Sequence, residues 1–199
     1  MSNFRLRNPD CVLIHIPKTG GTTIRKCLWN SEYDGPEFGV IPPEWEGLFK
    51  FAMVRHPCDR LVSAWKMFTE GAKGDESWKL PPDAKPLTID EFIAIVVNED
   101  IIYDQRRKTF AERIRHHAIP QTHPFNCLHL ADYVGRFERY DESLATIGER
   151  LGIVITKPPK IHYTTRVPWD QVIKGDSLKS CLEFYHEDFS KLGYSPVPD

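Results

Sequence analysis

No stretch of the 199 residues approaches the roughly 20 consecutive apolar residues that a bilayer-spanning helix needs. The longest apolar runs are Cys11–Ile14 and Phe92–Val97. The opening Met1-Ser-Asn-Phe-Arg-Leu-Arg7 carries positive charge but no apolar stretch leading to a small-residue cleavage site, so no secretory leader is read there. Excess charge of one sign is lacking too. Twenty-six Lys+Arg against 28 Asp+Glu leave a net charge of −2, which speaks against a dedicated nucleic-acid binder with its basic footprint. The five cysteines (Cys11, Cys27, Cys58, Cys127 and Cys181) are odd in number and never form C-x-x-C. They are expected to be reduced thiols of a cytoplasmic protein. His116, His117, His123, Cys127 and His129 crowd together without the paired spacing of a zinc site, so no metal is expected.

What is present is ordinary for a globular domain: 41% hydrophobic and 27% charged residues, in a length suited to one domain over residues 1–199. Cys11–Ile16 is short and apolar enough for a buried strand, and Thr22 to about Trp29 reads as a helix. Residues 31–47 hold Gly35, Pro36, Gly39, Pro42 and Pro43 and read as loop. Phe49–Val54 is a second strand, followed by a helix from Pro57 with Leu61, Trp65 and Phe68 on its core face. Gly71–Pro86 is polar loop, and Thr88-Ile-Asp-Glu91 is a capping box before a helix through Val97. A basic helix over about 104–118 follows, then a strand at Tyr133–Phe137 and a helix at Asp141–Leu151. Leu178, Leu182, Tyr185 and Phe189 mark one final helix. Alternating strands and helices predict an α/β domain with a central, largely parallel sheet flanked by helices.

The strand Cys11–Ile16 runs into Pro17-Lys-Thr-Gly-Gly-Thr-Thr23, which opens the first helix. First-turn N–H groups lack intrahelical partners, and the helix dipole adds positive potential there. Gly20 and Gly21 allow close backbone approach, Lys18 brings a charge, and Thr19, Thr22 and Thr23 bring hydroxyls. That is the composition of a phosphate cradle. It is not a Walker A loop, in which the lysine follows the glycines. A second strand–turn–helix, Phe49–Trp65, places Arg55 at a strand end and Ser63 in the next helix. Parallel sheets bind ligands at the carboxyl ends of their strands. Lys18 and Arg55 therefore predict two anion sites on one sheet edge, suited to a nucleoside with two phosphate groups.

His15-Ile-Pro-Lys-Thr-Gly-Gly-Thr-Thr23 resembles the 5′-phosphosulfate loop of sulfotransferases that use 3′-phosphoadenosine-5′-phosphosulfate (PAPS). Phe51–Trp65 resembles their 3′-phosphate motif, and Asp132–Glu138 and Tyr185–Tyr194 fit in order. The resemblance is closest to the carbohydrate and heparan-type branch and its small bacterial relatives. It implies a P-loop-like fold, with PAPS as donor, 3′-phosphoadenosine-5′-phosphate (PAP) as product, no metal, and a small-molecule or glycan acceptor bearing a hydroxyl or amine. It implies that Lys18 stabilises the leaving phosphate with Thr19 to Thr23 on the same group, and that Arg55 and Ser63 hold the 3′-phosphate. Arg166, in Thr164-Thr-Arg166, lies where such enzymes carry another cofactor loop. His56 and Arg60 flank the second motif as structural residues, Arg60 with the surface position usual for a helix-start arginine.

The acceptor needs a general base. Relatives often carry a His or Glu between the two motifs, and residues 24–54 here contain no His. Glu37 is the first candidate and Asp34 the second, with His123 and then His15 behind them. The basic segment 105–117 reads as a solvated helix face before it reads as a receiver of an anionic acceptor. A P-loop-like nucleotide kinase or ATPase and a non-catalytic nucleotide-binding module are the competing readings.

Overall fold

A period of two puts Cys11 and Leu13 of one strand, and Phe51 and Met53 of the next, on a single sheet face. The computed structural model describes residues 3–28, 33–71, 85–101, 109–156 and 167–197. The chain divides into two compact units, Met1–Arg55 with Gln121–Lys160, and His56–Pro120 with Ile161–Asp199.

The first unit is built on a five-stranded sheet in the order β3-β1-β2-β4-β5. Its strands are β1 (Asn3–Arg7), β2 (Asp10–Ile14), β3 (Tyr33–Glu37), β4 (Phe49–Val54) and β5 (Tyr133–Arg136). Helices α1 (Gly21–Leu28) and α5 (Tyr140–Leu151) belong to the same unit. Ile24 and Leu28 of α1, with Leu144 and Ile147 of α5, close the core over Leu6, Cys11, Leu13, Phe51 and Met53. Only the β2–β4 and β4–β5 pairs are parallel; β1 runs antiparallel to both β2 and β3. The sheet is therefore mixed, which corrects the largely parallel expectation. The reason is local: β1 and β2 are joined through Asn8-Pro9 alone, and so short a connection makes only an antiparallel pair. Strand β3 falls in the segment read as loop because of Gly35 and Pro36. It is an edge strand, where a proline costs no ladder bond.

The second unit contains α2 (Pro57–Glu70), α3 (Ile89–Val97), α4 (Phe110–Ala118), α6 (Trp169–Val172), α7 (Gly175–Phe184) and α8 (His186–Leu192). Leu61 and Phe68, Phe92 and Val96, Ile114, Trp169, Cys181 and Phe189 share one core. Thr88 with Glu91, and Thr109 with Glu112, close full capping boxes on α3 and α4. The final helix of the sequence reading is two, broken at Tyr185. Residues 72–84 of the Gly71–Pro86 loop and 102–108 of the basic segment lie outside the described residues.

Two arginines do structural work that the sequence reading placed on the surface. Arg60 is only 1% exposed. Its guanidinium donates to the carbonyls of His117 and Ala118 at 3.1 Å each and of Ile119 at 2.5 Å, capping the carboxyl end of α4. Arg115, in the segment read as a solvated face, is buried as well. It donates to the carbonyls of Val96, Glu99 and Ile101, at and just beyond the end of α3. Carbonyls at a helix end have no intrahelical donor, so each arginine supplies the missing bonds and complements the negative end of the dipole. His56 stacks on Trp169 at 5.3 Å and meets Phe189 and Tyr194 edge-on, with its Nε2 3.0 Å from the Ser195 carbonyl.

Candidate active site

The parallel register of β2, β4 and β5 brings Ile14, Val54 and Arg136 to one edge of the sheet, and Lys18 and Arg55 follow the first two of these strands. Lys18 holds a left-handed backbone, φ 68°, and Gly20 follows at φ 86°. The chain thus curls between the end of β2 and the start of α1. Burial of the Lys18 ammonium, and after it the charge of Arg55, push its pKa from 10.5 down to about 8.

Space at the two glycines is closed from both sides. A Cβ at Gly20 would lie 2.6 Å from the Tyr140 ring, and one at Gly21 would lie 2.2 Å from the His15 ring. The Tyr140 hydroxyl donates to the Gly20 carbonyl at 2.9 Å. That carbonyl also accepts from Thr23 N at 3.0 Å and Ile24 N at 3.2 Å. One oxygen therefore ties the loop both to the first turn of α1 and to α5. Thr19 is buried and donates its hydroxyl to the Ile16 carbonyl at 2.7 Å, a bond that fixes the loop's entrance. Thr22 and Thr23 are partly buried in the first turn of α1.

Arg55 is 8% exposed. Its guanidinium carbon stands 4.4 Å from the Phe137 ring centre, and Nη1 donates to the Lys18 carbonyl at 3.4 Å. Its backbone N–H and carbonyl are both bonded to the Gln121 side chain, at 2.9 and 2.8 Å. The structure thus brings Lys18, Thr19, Gly20, Gly21 and Arg55 together in the first unit. Ser63 is half-buried on α2 of the second unit, and Arg166 lies outside the described residues.

Glu37 ends β3. Because β1 is antiparallel to both neighbours, β3 runs the same way as β2 and finishes at the same edge, with Glu37 opposite Asn3. One strand separates β3 from β2, so the two strand ends are about 10 Å apart at ordinary spacing. Glu37 is half-buried. Asp34 sits across from Arg5, toward the other end of the strand, and its carboxylate lies 2.8 Å from Arg7 Nη2 and 4.0 Å from Arg5 Nη1. His123 accepts the Phe125 N–H on Nδ1 at 3.2 Å. His15 is half-buried against Gly21.

Gln121, Phe137 and Tyr140 escaped the sequence reading as site residues. Phe137 lay inside Asp132–Glu138, a segment that carried the resemblance, whereas Gln121 and Tyr140 had no signal of their own. Among the described residues no group of His, Cys, Asp and Glu is arranged to hold a metal ion.

An α/β sheet whose strand ends present a lysine loop and a clamped arginine has the make-up of an anion-binding edge. The profile of the sulfotransferase family matches residues 43–195, and the chain belongs to that family of enzymes. Human carbohydrate sulfotransferase 14 is 27% identical over 177 residues, covering 76% of this chain and 43% of the relative. The chain thus spans about two fifths of that relative's length. No solved structure matches significantly. The family match includes Arg55 and Ser63 and begins after the Lys18 loop, which stands on its own geometry. The family implies PAPS as sulfate donor. It also corrects the cytoplasmic expectation, since carbohydrate sulfotransferases of this kind typically work in the Golgi lumen. Scattered cysteines did not decide the compartment. Among the described residues no helix is long and apolar enough to cross a membrane.

Proposed function

We propose that the chain moves a sulfuryl group from PAPS to a hydroxyl of a carbohydrate, with residues 1–199 forming one P-loop-like sulfotransferase domain. The observation that carries this is the pairing of Lys18 with Arg55 at the carboxyl edge of β2 and β4. The charge of Arg55 opposes that of Lys18, and the lysine's pKa, lowered first by burial, records part of that repulsion. A ligand bearing phosphate groups at two positions of one ribose relieves the repulsion, so the residues present fit the donor. The match over residues 43–195 runs through both units and supports a single domain. The relative's name supports a carbohydrate acceptor.

PAPS supplies an activated sulfuryl group joined to its 5′-phosphate. Lys18 and the first N–H groups of α1 hold that phosphate and stabilise the charge that grows on it as the sulfur–oxygen bond breaks. Arg55 holds the 3′-phosphate, and Ser63 is assigned to the same group on the motif alone. Glu37 takes the acceptor's proton as the new sulfur–oxygen bond forms. The products are the sulfate ester and PAP. A sulfuryl group carries less charge than a γ-phosphoryl group, so lysine and backbone donors suffice for its transfer.

Thermal unfolding in the presence of nucleotides tests donor binding. A ligand that binds only the native state stabilises by about 2.7 kcal/mol at a hundredfold excess over Kd. PAP is expected to raise Tm well above the effect of AMP or of ATP with Mg²⁺. Equal shifts with PAP and AMP, or a larger one with ATP, overturn the reading.

A further inference from the structure

The main chain of Arg55 is held by one side chain 66 residues away. Strand β4 ends at Val54, whose ladder partner is Arg136, so the regular ladder stops one residue before Arg55. Beyond that point the Gln121 carboxamide supplies both bonds that a neighbouring strand would supply. The Arg55 N–H donates to Oε1 at 2.9 Å, and Nε2 donates to the Arg55 carbonyl at 2.8 Å. Gln121 is fully buried, and its own carbonyl accepts from Nδ2 of Asn126, itself 2% exposed, at 3.1 Å. The clamp is therefore anchored in turn. With its backbone fixed, Arg55 keeps its guanidinium over Phe137 and within reach of the Lys18 carbonyl.

We propose that Gln121 is a positioning residue for donor binding, locking the end of β4 so that the Arg55 guanidinium is set for the donor's phosphate before the donor arrives. This rests on the role given to Arg55 under Proposed function. A guanidinium held in its bound stance loses little freedom on binding, whereas an unclamped one must be ordered at the expense of affinity. The neighbouring strand provides an internal comparison. Ser143 Oγ accepts from Arg136 N at 2.9 Å and donates to the Arg136 carbonyl at 3.2 Å. Loss of that clamp disturbs a strand end of the same sheet and reaches Arg55 only at second hand, through Phe137, which follows Arg136.

The test is a double-mutant cycle on the full chain, read as PAP affinity by calorimetry. Gln121→Ala is expected to weaken PAP binding about tenfold, by unpinning Arg55 and leaving two buried backbone groups short of partners. In an Arg55→Ala background the same change is expected to weaken PAP no further, because a positioning residue has nothing left to position. Ser143→Ala is expected to lower Tm and to weaken PAP much less than Gln121→Ala does. Should Gln121→Ala not fold, Gln121→Met takes its place. It keeps the length and most of the volume, adds no charge and loses both bonds to the Arg55 main chain. Equal weakening by Gln121→Ala in both backgrounds, no weakening at all, or equal weakening by Ser143→Ala overturns the inference while leaving the donor site standing. Unchanged PAP affinity in Arg55→Ala alone overturns the functional reading beneath it.

Discussion

Raising the pH should loosen PAP through one group, Lys18. In the free protein its pKa is pushed down to about 8, first by burial and then by Arg55, while bound phosphate favours the charged form. A group with that pKa is about nine-tenths charged at pH 7 and about one-tenth charged at pH 9, so PAP affinity should fall about tenfold across that interval, or about 1.4 kcal/mol. The ligand does not produce this change, since the second ionisation of a phosphate monoester has its midpoint near pH 6 and is about nine-tenths complete by pH 7. Calorimetric Kd values at intervals of half a pH unit would trace the slope. Lys18→Arg keeps its charge throughout this range, so its profile should be flat even if its affinity is lower overall. Folding stability should move the other way. Between about 8 and 10.5 the unfolded chain binds the proton more readily than the native one, so this group makes the free protein more stable as pH rises. A flat wild-type profile, or the same slope in Lys18→Arg, would refute the placement of Lys18 at the phosphate.

The remaining expectations concern the loop and the base. Gly20→Ala puts a Cβ 2.6 Å from the Tyr140 ring at φ 86°, and its Tm should fall along with PAP affinity. Removing the ring in Gly20→Ala/Tyr140→Ala should recover only part of the loss, because the left-handed backbone still costs about 1 kcal/mol; full recovery would show that crowding alone demands glycine. Glu37→Gln keeps size and loses basicity, so transfer should slow about 10²- to 10⁴-fold with PAP affinity unchanged. Asp34→Asn should leave transfer near normal and cost at most about 1 kcal/mol in chemical denaturation, since its ion pair with Arg7 is half-exposed. The reverse ranking would move the base to Asp34.

Strands β2 and β4, the starts of α1 and α2, and the capping box of α3 were all legible because each is written in a few consecutive residues. Apolar alternation, Thr before a helix and Pro at a first turn are local signals. Strand β1 carries the same alternation in Phe4 and Leu6, but three polar residues of its five hid it. Gly35 and Pro36 made β3 read as loop, and only its position at the sheet edge makes a proline there harmless. In the site, the Lys18 loop announced itself by composition. Tyr140 matters because Gly20 lies beneath its ring, and Gln121 because β4 ends beside it. Neither relation exists until the sheet has formed. Arg60 was misplaced for a related reason. A helix-start arginine is usually exposed, and only the carbonyl end of α4 explains why this one is buried.

The central claim is sulfuryl transfer at Lys18, and sulfate transfer from labelled PAPS into a panel of glycans tests it most directly. The wild-type chain is expected to label at least one carbohydrate, releasing PAP in equal amount. Lys18→Ala should lose most of that turnover while still binding PAP, since the lysine acts most strongly on charge that develops in the transition state. PAP binding with no label in any glycan, or undiminished transfer by Lys18→Ala, would contradict the account.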